Sequence, residues 1–376
     1  MIRIGIDATP LPEYPAGAGT YIIQLIHALT SFGSQARFVI FAQSDQQKLI
    51  GIPEMQNVTW ISSPKMSPIQ RLLWEQISLP ILLLRNKVDV FHSLHYTRPI
   101  LLPCASVVTF HDMTFFLYPK LHTRLKRILF PIAIRISAYL SDHIIAVSEC
   151  TQQDAMRILN LNPLRISAIP NGISEDFRPI TDNSLLEECR NLYHLPENFI
   201  LFTGLIEPRK NLPALINAYA LLVKEFSPPP LVIVGRSGWG NIQLSELINQ
   251  QNLKDQIIFT GYISARDLPI VYNLAQVFVY PSLYEGFGFP PLEAMACGIP
   301  VVSSDSSAMR EIIGEAGILV PARDINALAD AIRSLLQDSS LRLYYSSLGK
   351  QRSKLYSWKR TAQETLRVYQ QVTREI

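Results

Sequence analysis

The chain is predicted to be an α/β protein made of two doubly wound halves. Three observations carry this expectation. Short apolar runs alternate with longer helical patterns along nearly the whole chain. The alternation breaks once, between Pro170 and about Thr181, where turn residues collect. Finally, 376 residues exceed what one core usually organises, and a content of 48% hydrophobic and 17% charged residues is enough to fill two. The expected division is residues 1–178 and 179–356, with a terminal helix over about 357–376.

Met1 to Ala8, with Ile2, Ile4 and Ile6, is expected to form a buried parallel strand. A Pro/Gly-rich loop and an amphipathic helix from about Thr20 to Phe32 follow. Strands are then expected at Arg37–Phe41, Val58–Ile61, Val88–Phe91, Ser106–Phe110 and His143–Val147, with helices at Ile69–Leu84 and Arg124–Leu140. The second series has strands at Phe199–Thr203, Leu231–Val234, Ile257–Thr260, Val277–Tyr280 and Pro300–Ser303. Its helices are expected at Leu212–Glu225, Gln243–Gln251 and Ala265–Leu274. A last helix, Ser357 to about Thr373, presents Leu366, Val368, Tyr369 and Val372 as its apolar residues. Such sheets bind ligands at the carboxyl ends of their strands, so a cleft between two facing halves is the expected site.

Composition narrows the function classes. The net charge is +3, with 16 Lys and Arg against 12 Asp and Glu in residues 1–180 and 18 against 19 in the rest. That is far from a nucleic-acid footprint. The cysteines at 104, 150, 189 and 297 have neither metal nor disulfide spacing and fit a reducing cytosol. Arg3 and Asp7 interrupt any export signal, and no apolar run approaches the roughly 18–20 residues that span a bilayer. A cytoplasmic location is expected. No Asp-x-Asp pair, phosphate loop, H-E-x-x-H or G-x-S-x-G elbow occurs.

The stretch Glu285-Gly-Phe-Gly-Phe-Pro-Pro-Leu-Glu293 carries the chemistry. Two carboxylates flank a glycine turn that follows an apolar strand and opens a short helix, expected from Pro291 to Ala296. Gly286 and Gly288 let the backbone fold tightly, and proline is tolerated at the first helical position. The N–H groups and dipole of a helix start favour an anion, typically a phosphate. Carboxylates accept hydrogen bonds from hydroxyls, so sugar hydroxyls on both sides of a phosphate satisfy the whole arrangement. Arg209 and Lys210 follow a strand ending at Thr203-Gly204, where two cations can neutralise a leaving diphosphate. Ala16-Gly17-Ala18-Gly19 opens the first helix, but Ile22 stands where a dinucleotide fingerprint needs its third glycine. His92 and His95 are expected beyond a strand end as pocket lining or structure, with no third metal ligand evident.

Residues 285–293 resemble the Glu-x7-Glu signature of retaining glycosyltransferases of the GT-B architecture, specifically the GT4 family. Gly204-Leu-Ile-Glu-Pro-Arg209-Lys210-Asn211 is similar to that family's phosphate clamp, Pro170-Asn171-Gly172-Ile173 to its domain-junction turn, and Phe110-His111-Asp112 to its N-terminal active-site strand end. The resemblance covers nearly all of the chain. It implies two facing Rossmann-like domains with an interdomain cleft, and a terminal helix that crosses back onto the first domain. Glu293 would bind the ribose hydroxyls of a nucleotide, and Glu285 the donor sugar near its 3-hydroxyl. The backbone of Gly286, Phe287, Gly288 and Phe289 would hold sugar hydroxyls and phosphate. Gly17 and Gly19 would close over the diphosphate, His111 would contact the donor sugar, and Asp7 and Asp112 would lie on the acceptor side. Gly235 and Tyr262 would shape the base pocket. Leu205 stands where many members carry Arg after Gly204, which leaves Arg209 to supply that contact. By position alone, Trp74-Glu75-Gln76 and neighbouring apolar residues would line the acceptor end of the cleft.

The implied activity is metal-independent, cofactor-free, retaining transfer of a hexose from UDP-glucose or GDP-mannose, UDP-glucose ahead, to a saccharide or lipid-linked acceptor. The helix around Thr123–Arg127 joins basic residues to an apolar face, compatible with peripheral contact at the inner membrane face, with a solvated helix face ahead of it. A sugar-nucleotide epimerase or phosphorylase on the same architecture, and a non-catalytic nucleotide-sugar-binding protein, are the rival expectations.

Overall fold

The computed structural model describes residues 1–236 and 241–374 and divides into two compact units. The first comprises Met1–Gly172 and the segment from Tyr356 onward; the second is Ile173–Leu355. The division therefore falls after Gly172 rather than 178, for a local reason. A Cβ on Gly172 would lie 2.1 Å from the backbone nitrogen of Trp358, so only glycine lets the returning segment pass. Beyond it, the Asn273 side chain accepts from the Ile180 N–H and donates to the Arg178 carbonyl, which ties residues 173–180 to the second unit.

The first unit contains β1 (Arg3–Asp7), α1 (Ala18–Phe32), β2 (Arg37–Gln43), α2 (Gln46–Ile50), β3 (Val58–Ser63), α3 (Pro68–Arg85), β4 (Val90–Ser93), β5 (Ala105–Phe110), α4 (Thr114–Leu117), α5 (Arg124–Leu140), β6 (His143–Ala146), α6 (Glu149–Leu159) and β7 (Ile166–Ala168). Its strands form one parallel sheet in the order β3-β2-β1-β4-β5-β6-β7. Ser67 accepts from the Gln70 N–H and the Gln70 side chain bonds back to Ser67, a reciprocal cap that fixes where α3 starts.

The second unit contains α7 (Asn183–Leu192), β8 (Ile200–Thr203), α8 (Leu212–Glu225), β9 (Leu231–Val234), α9 (Asn241–Gln250), β10 (Ile257–Gly261), α10 (Leu268–Leu274), β11 (Val277–Tyr280), α11 (Phe289–Ala296), β12 (Val301–Ser304), α12 (Met309–Ile313), β13 (Ile318–Val320), α13 (Ile325–Gln337) and α14 (Ser339–Ser353). Its parallel sheet runs β10-β9-β8-β11-β12-β13. The last helix, α15 (Trp358–Arg374), rejoins the first unit, where Tyr369 donates to or accepts from His92 Nδ1 at 2.6 Å.

In each sheet the order reverses once, between β1 and β4 and between β8 and β11, and the carboxyl ends at such a switch point are where this architecture places ligands. Asp7, Thr203 and Tyr280 end three of those four strands. One expectation changes here. β4 runs on to Ser93, so His92 lies inside the strand, buried, with both ring nitrogens engaged by Tyr369 and Thr109. Burial, and then His111, push its pKa well down, and of the two expected roles His92 takes the structural one, as a neutral residue.

Candidate active site

The second unit gathers its chemistry at the β8/β11 switch point. Pro208–Lys210 forms a single 3-10 turn after β8, and Asn211, with φ +57, ends it and starts α8. The Asn211 side chain donates to the Pro281 and Ala322 carbonyls, which pins the turn against the end of β11. Arg209 and Lys210 are thereby turned onto one carboxylate. Glu285 Oε1 lies 2.6 Å from Lys210 Nζ and accepts from Ser282 Oγ at 2.7 Å and Tyr280 Oη at 2.9 Å; Oε2 lies 2.5 Å from Arg209. Arg209 also holds Glu207 at 2.7 Å and the Tyr284 carbonyl. Lys210 bonds the Tyr280 hydroxyl as well.

This cluster is buried, and the charges decide its protonation. Burial alone would raise Glu285, but Arg209 and then Lys210 hold it down at about 2. Burial draws the Lys210 ammonium below the usual lysine range, against the pull of Glu285. The arrangement sets two cations, Arg209 and Lys210, against two carboxylates, Glu285 and Glu207, a balanced cluster at the carboxyl edge of a sheet.

α11 begins at Phe289, two residues earlier than expected, because Pro290 and Pro291 fit its first turn, where no N–H is needed. Gly288, with φ +117, opens it. Glu293 lies in this helix and accepts from the Tyr272 hydroxyl at 2.8 Å, while the same hydroxyl meets Thr203 Oγ1 at 2.7 Å. Burial pushes the Glu293 carboxyl up to about 7, with only the Tyr272 hydrogen bond opposing. So the two glutamates of one segment have opposite characters: Glu285 fully ionised, Glu293 poised near neutrality.

Beside them, Gly204, Gly235 and Gly261 end three adjacent strands, β8, β9 and β10. A Cβ on Gly235, at φ +150, would lie 1.9 Å from the Gly204 carbonyl oxygen. Gly235→Ala is therefore expected to lower unfolding free energy by on the order of 1–3 kcal/mol in urea titrations, since neither backbone can give way. A loss below about 0.5 kcal/mol, the range of neutral surface changes, would contradict the close approach. Tyr262 follows, 52% exposed, with the Arg236 guanidinium 4.7 Å from its ring centre. Leu205 is 47% exposed and makes no charged contact by its nature.

The first unit assembles a second group around the ends of β1, β4 and β5. Asp7 is buried; its Oδ1 accepts from the Thr9 N–H and hydroxyl, while Oδ2 is buried without a hydrogen bond. Burial raises its carboxyl, opposed by Arg71. Glu75 on α3 is likewise raised by burial, and Arg71 reaches it at 2.9 Å. His111 follows β5, its Nε2 2.8 Å from the Leu94 carbonyl and its ring edge-on to Tyr21. The His95 ring is 5.6 Å from that of His111, and burial lowers both imidazoles toward the neutral form. Asp112 accepts from the Thr114 N–H and hydroxyl at the start of α4. Gly17, with φ +52, is the residue before α1, whereas Gly19 lies inside that helix, against Pro12 and Pro15. Trp74 packs on Phe41, and Gln76 bonds Glu75.

The fold thus brings Arg209, Lys210 and Glu285 into direct contact and sets Glu293 and the glycines at the same sheet edge. It also shows partners that the sequence reading passed over: Tyr272, Tyr280 and Ser282. One signal was available for Tyr280. It ends an otherwise purely aliphatic and aromatic buried strand, so its hydroxyl has to emerge where polar groups collect. Among the described residues no group of three His, Cys, Asp or Glu is placed to hold a metal ion.

Comparison with known proteins agrees with this picture. The profile described as glycosyltransferase family 4 matches residues 15–177, and that described as glycosyl transferases group 1 matches residues 190–352. The chain is 31% identical to the O-antigen chain mannosyltransferase B of Escherichia coli over 97% of its own length and 98% of that protein. It is 29% identical to the phosphatidyl-myo-inositol mannosyltransferase of Mycobacterium leprae, over 99% of this chain and 97% of that one. In fold it is similar to the sucrose-phosphate synthase of Thermosynechococcus elongatus, with a TM-score of 0.78, 21% identity and full coverage of both chains. Both profiles fall in the expected order on the two α/β units, and the chain belongs to glycosyltransferase family 4, with the GT-B fold.

Proposed function

We propose that the protein moves a hexose, mannose in first place, from a nucleotide diphosphate sugar to a hydroxyl of a saccharide or lipid-linked acceptor in polysaccharide biosynthesis, with retention at the anomeric carbon and without a metal. The observation that carries this reading is the Arg209–Lys210–Glu285 cluster beside the start of α11. Two cations and a helix start suit a departing diphosphate, and a flanking carboxylate suits the hydroxyls of the sugar attached to it. Glu293 would take the ribose hydroxyls. Mannose stands before glucose in this reading, where the sequence expectation puts glucose ahead; support comes from two relatives aligned over nearly the whole chain that are named mannosyltransferases, and GDP-mannose is the matching donor.

In this reading the bond between the anomeric carbon and the diphosphate oxygen breaks, the acceptor oxygen bonds that carbon on the same face, and the acceptor proton passes to the departing phosphate oxygen. No protein base is then required. Arg209 and Lys210 balance the charge left on the diphosphate, which is the role otherwise given to a metal. In the first unit His111, neutral and facing the β4–β5 ends, would contact the donor sugar, with Asp7 and Asp112 on the acceptor side. A cytoplasmic protein with a lipid-linked acceptor would work as a peripheral visitor to the inner membrane face.

Thermal-shift measurements against a panel of nucleotide sugars test the donor. GDP-mannose at about 100 times its Kd should stabilise the protein by about 2.7 kcal/mol. Stabilisation by UDP-glucose alone would return the donor to glucose; no response to any nucleotide sugar would end the reading. Retention is checked by NMR of the newly formed linkage, and product formation in chelator-treated protein checks metal independence.

A further inference from the structure

α3 and α5 cover the same side of the first unit's sheet. Asp7 pairs with Phe41 and Ser93, Ser93 with Val108, and Val108 with Ile144, so these residues share one face. α3 packs Leu79 and Leu83 against Phe41, while α5 packs Ile134 and Ala138 against Val108 and Ile144. That much is ordinary helix-on-sheet packing. The outward sides of the two helices are not.

On α3, Ile69, Leu73, Ile77, Ile81 and Leu84 recur every third or fourth residue and are 49–68% exposed. On α5, Leu125, Ile128, Ile132, Ile136 and Tyr139 do the same at 39–79%. A helix that is apolar toward both core and solvent is normally covered by something, and monomeric soluble proteins rarely expose contiguous apolar patches beyond a few hundred Å². The charges around these residues are of one sign. Arg124, Lys126, Arg127 and Arg135 are exposed on α5 and Arg85 on α3, whereas the only acid on either helix, Glu75, is buried. Residues 65–135 hold ten Lys and Arg against three Asp and Glu.

We propose that the outer face of α3 and α5 docks on an anionic phospholipid bilayer. The charge pattern selects this occupant. A second copy meeting the same face would set basic residues against basic residues, because a two-fold interface is self-complementary. An anionic lipid surface complements them while its acyl region accepts the apolar stripes. Among the described residues no helix is long and apolar enough to cross a membrane, so the contact is lateral. The inference rests on the proposed lipid-linked acceptor for its purpose only; its physics stands apart from the donor chemistry.

The test is co-sedimentation of the full chain with vesicles of phosphatidylglycerol and phosphatidylcholine, compared with phosphatidylcholine alone. Binding is expected to the anionic vesicles and to weaken on going from about 0.1 M to 1 M salt. The triple variant Arg124→Gln, Lys126→Gln, Arg127→Gln should lower the partition coefficient about 100-fold, at roughly fivefold per residue. The double variant Leu73→Glu, Ile128→Glu should remove binding; as all five positions are exposed, melting temperatures should stay within a degree or two of the parent. No binding of the parent to anionic vesicles, or equal binding by parent and variants, would overturn the proposal. So would a dimer in sedimentation velocity that the double variant abolishes, which would assign the face to a second copy. The nucleotide-sugar thermal shift of the variants separates the two readings: it persists if only membrane docking is lost.

Discussion

Lys210→Ala is expected to lower kcat by on the order of 10²–10³, the loss seen when one preorganised charge partner of a transition state is removed. The same change should also destabilise the protein, because Lys210 is a buried partner of Glu285. The Glu285 carboxyl titrates at about 2 against an ordinary 4.5. With the folded value depressed, the contribution is present above pH 4.5 and is lost as pH falls toward 2; fully expressed it amounts to about 3 kcal/mol. Breaking such a buried pair costs about 3–5 kcal/mol, less here since Arg209, Tyr280 and Ser282 remain on the carboxylate. Stability and catalysis are separable in the double variant Lys210→Met, Glu285→Gln. It removes both charges, so urea midpoints should recover toward the parent while turnover stays low. Recovered turnover in that variant would show that neither charge is needed for the transfer.

The origin of the cluster shows what a sequence can and cannot give. Strands β9 and β11 and helix α8 lie where their apolar patterns put them, to the residue, because four-residue apolar runs and one long helically spaced apolar segment, each flanked by turn residues, admit one reading. β7 and β13 escaped notice: three residues at a sheet edge carry too little pattern to stand out from a loop. α10 starts at Leu268 rather than 265, since Pro269 suits a first turn and not a helix interior. In the site, Arg209, Lys210 and Glu285 were each visible as charges at strand ends, and contact among them was not, since 75 residues separate Lys210 from Glu285. Tyr272 was hidden for a different reason. Its ring belongs to the helix face that packs on the core, and only the fold reveals that its hydroxyl reaches Glu293. Local pattern fixes elements; partners across a switch point depend on strand order.

Glu293 should make both stability and donor affinity depend on pH near neutrality. Its folded pKa of about 7 exceeds the ordinary 4.5, so the folded state binds the proton more tightly than the unfolded chain does. Stability from this group is complete below pH 4.5 and declines as pH rises through 7, by at most 2–3 kcal/mol given the accessible edge that the side chain keeps. Glu293→Gln removes the titration while keeping a partner for the Tyr272 hydroxyl, so the variant should be the more stable of the two at pH 8 and about equal at pH 4.5. Donor binding follows the opposite sign. Ribose hydroxyls donate to an ionised carboxylate better than to a protonated one, so a bound donor favours loss of the proton. Affinity should rise from pH 6 to pH 8, and calorimetry in buffers of different ionisation enthalpy should register proton release near pH 7. Glu293→Gln should abolish that release and weaken donor binding by about 10- to 100-fold, as loss of a charged hydrogen-bond acceptor does. If the variant binds donor as the parent does, with the same proton release, the ribose contact lies elsewhere, and the raised pKa of Glu293 reflects packing beneath Tyr272 alone.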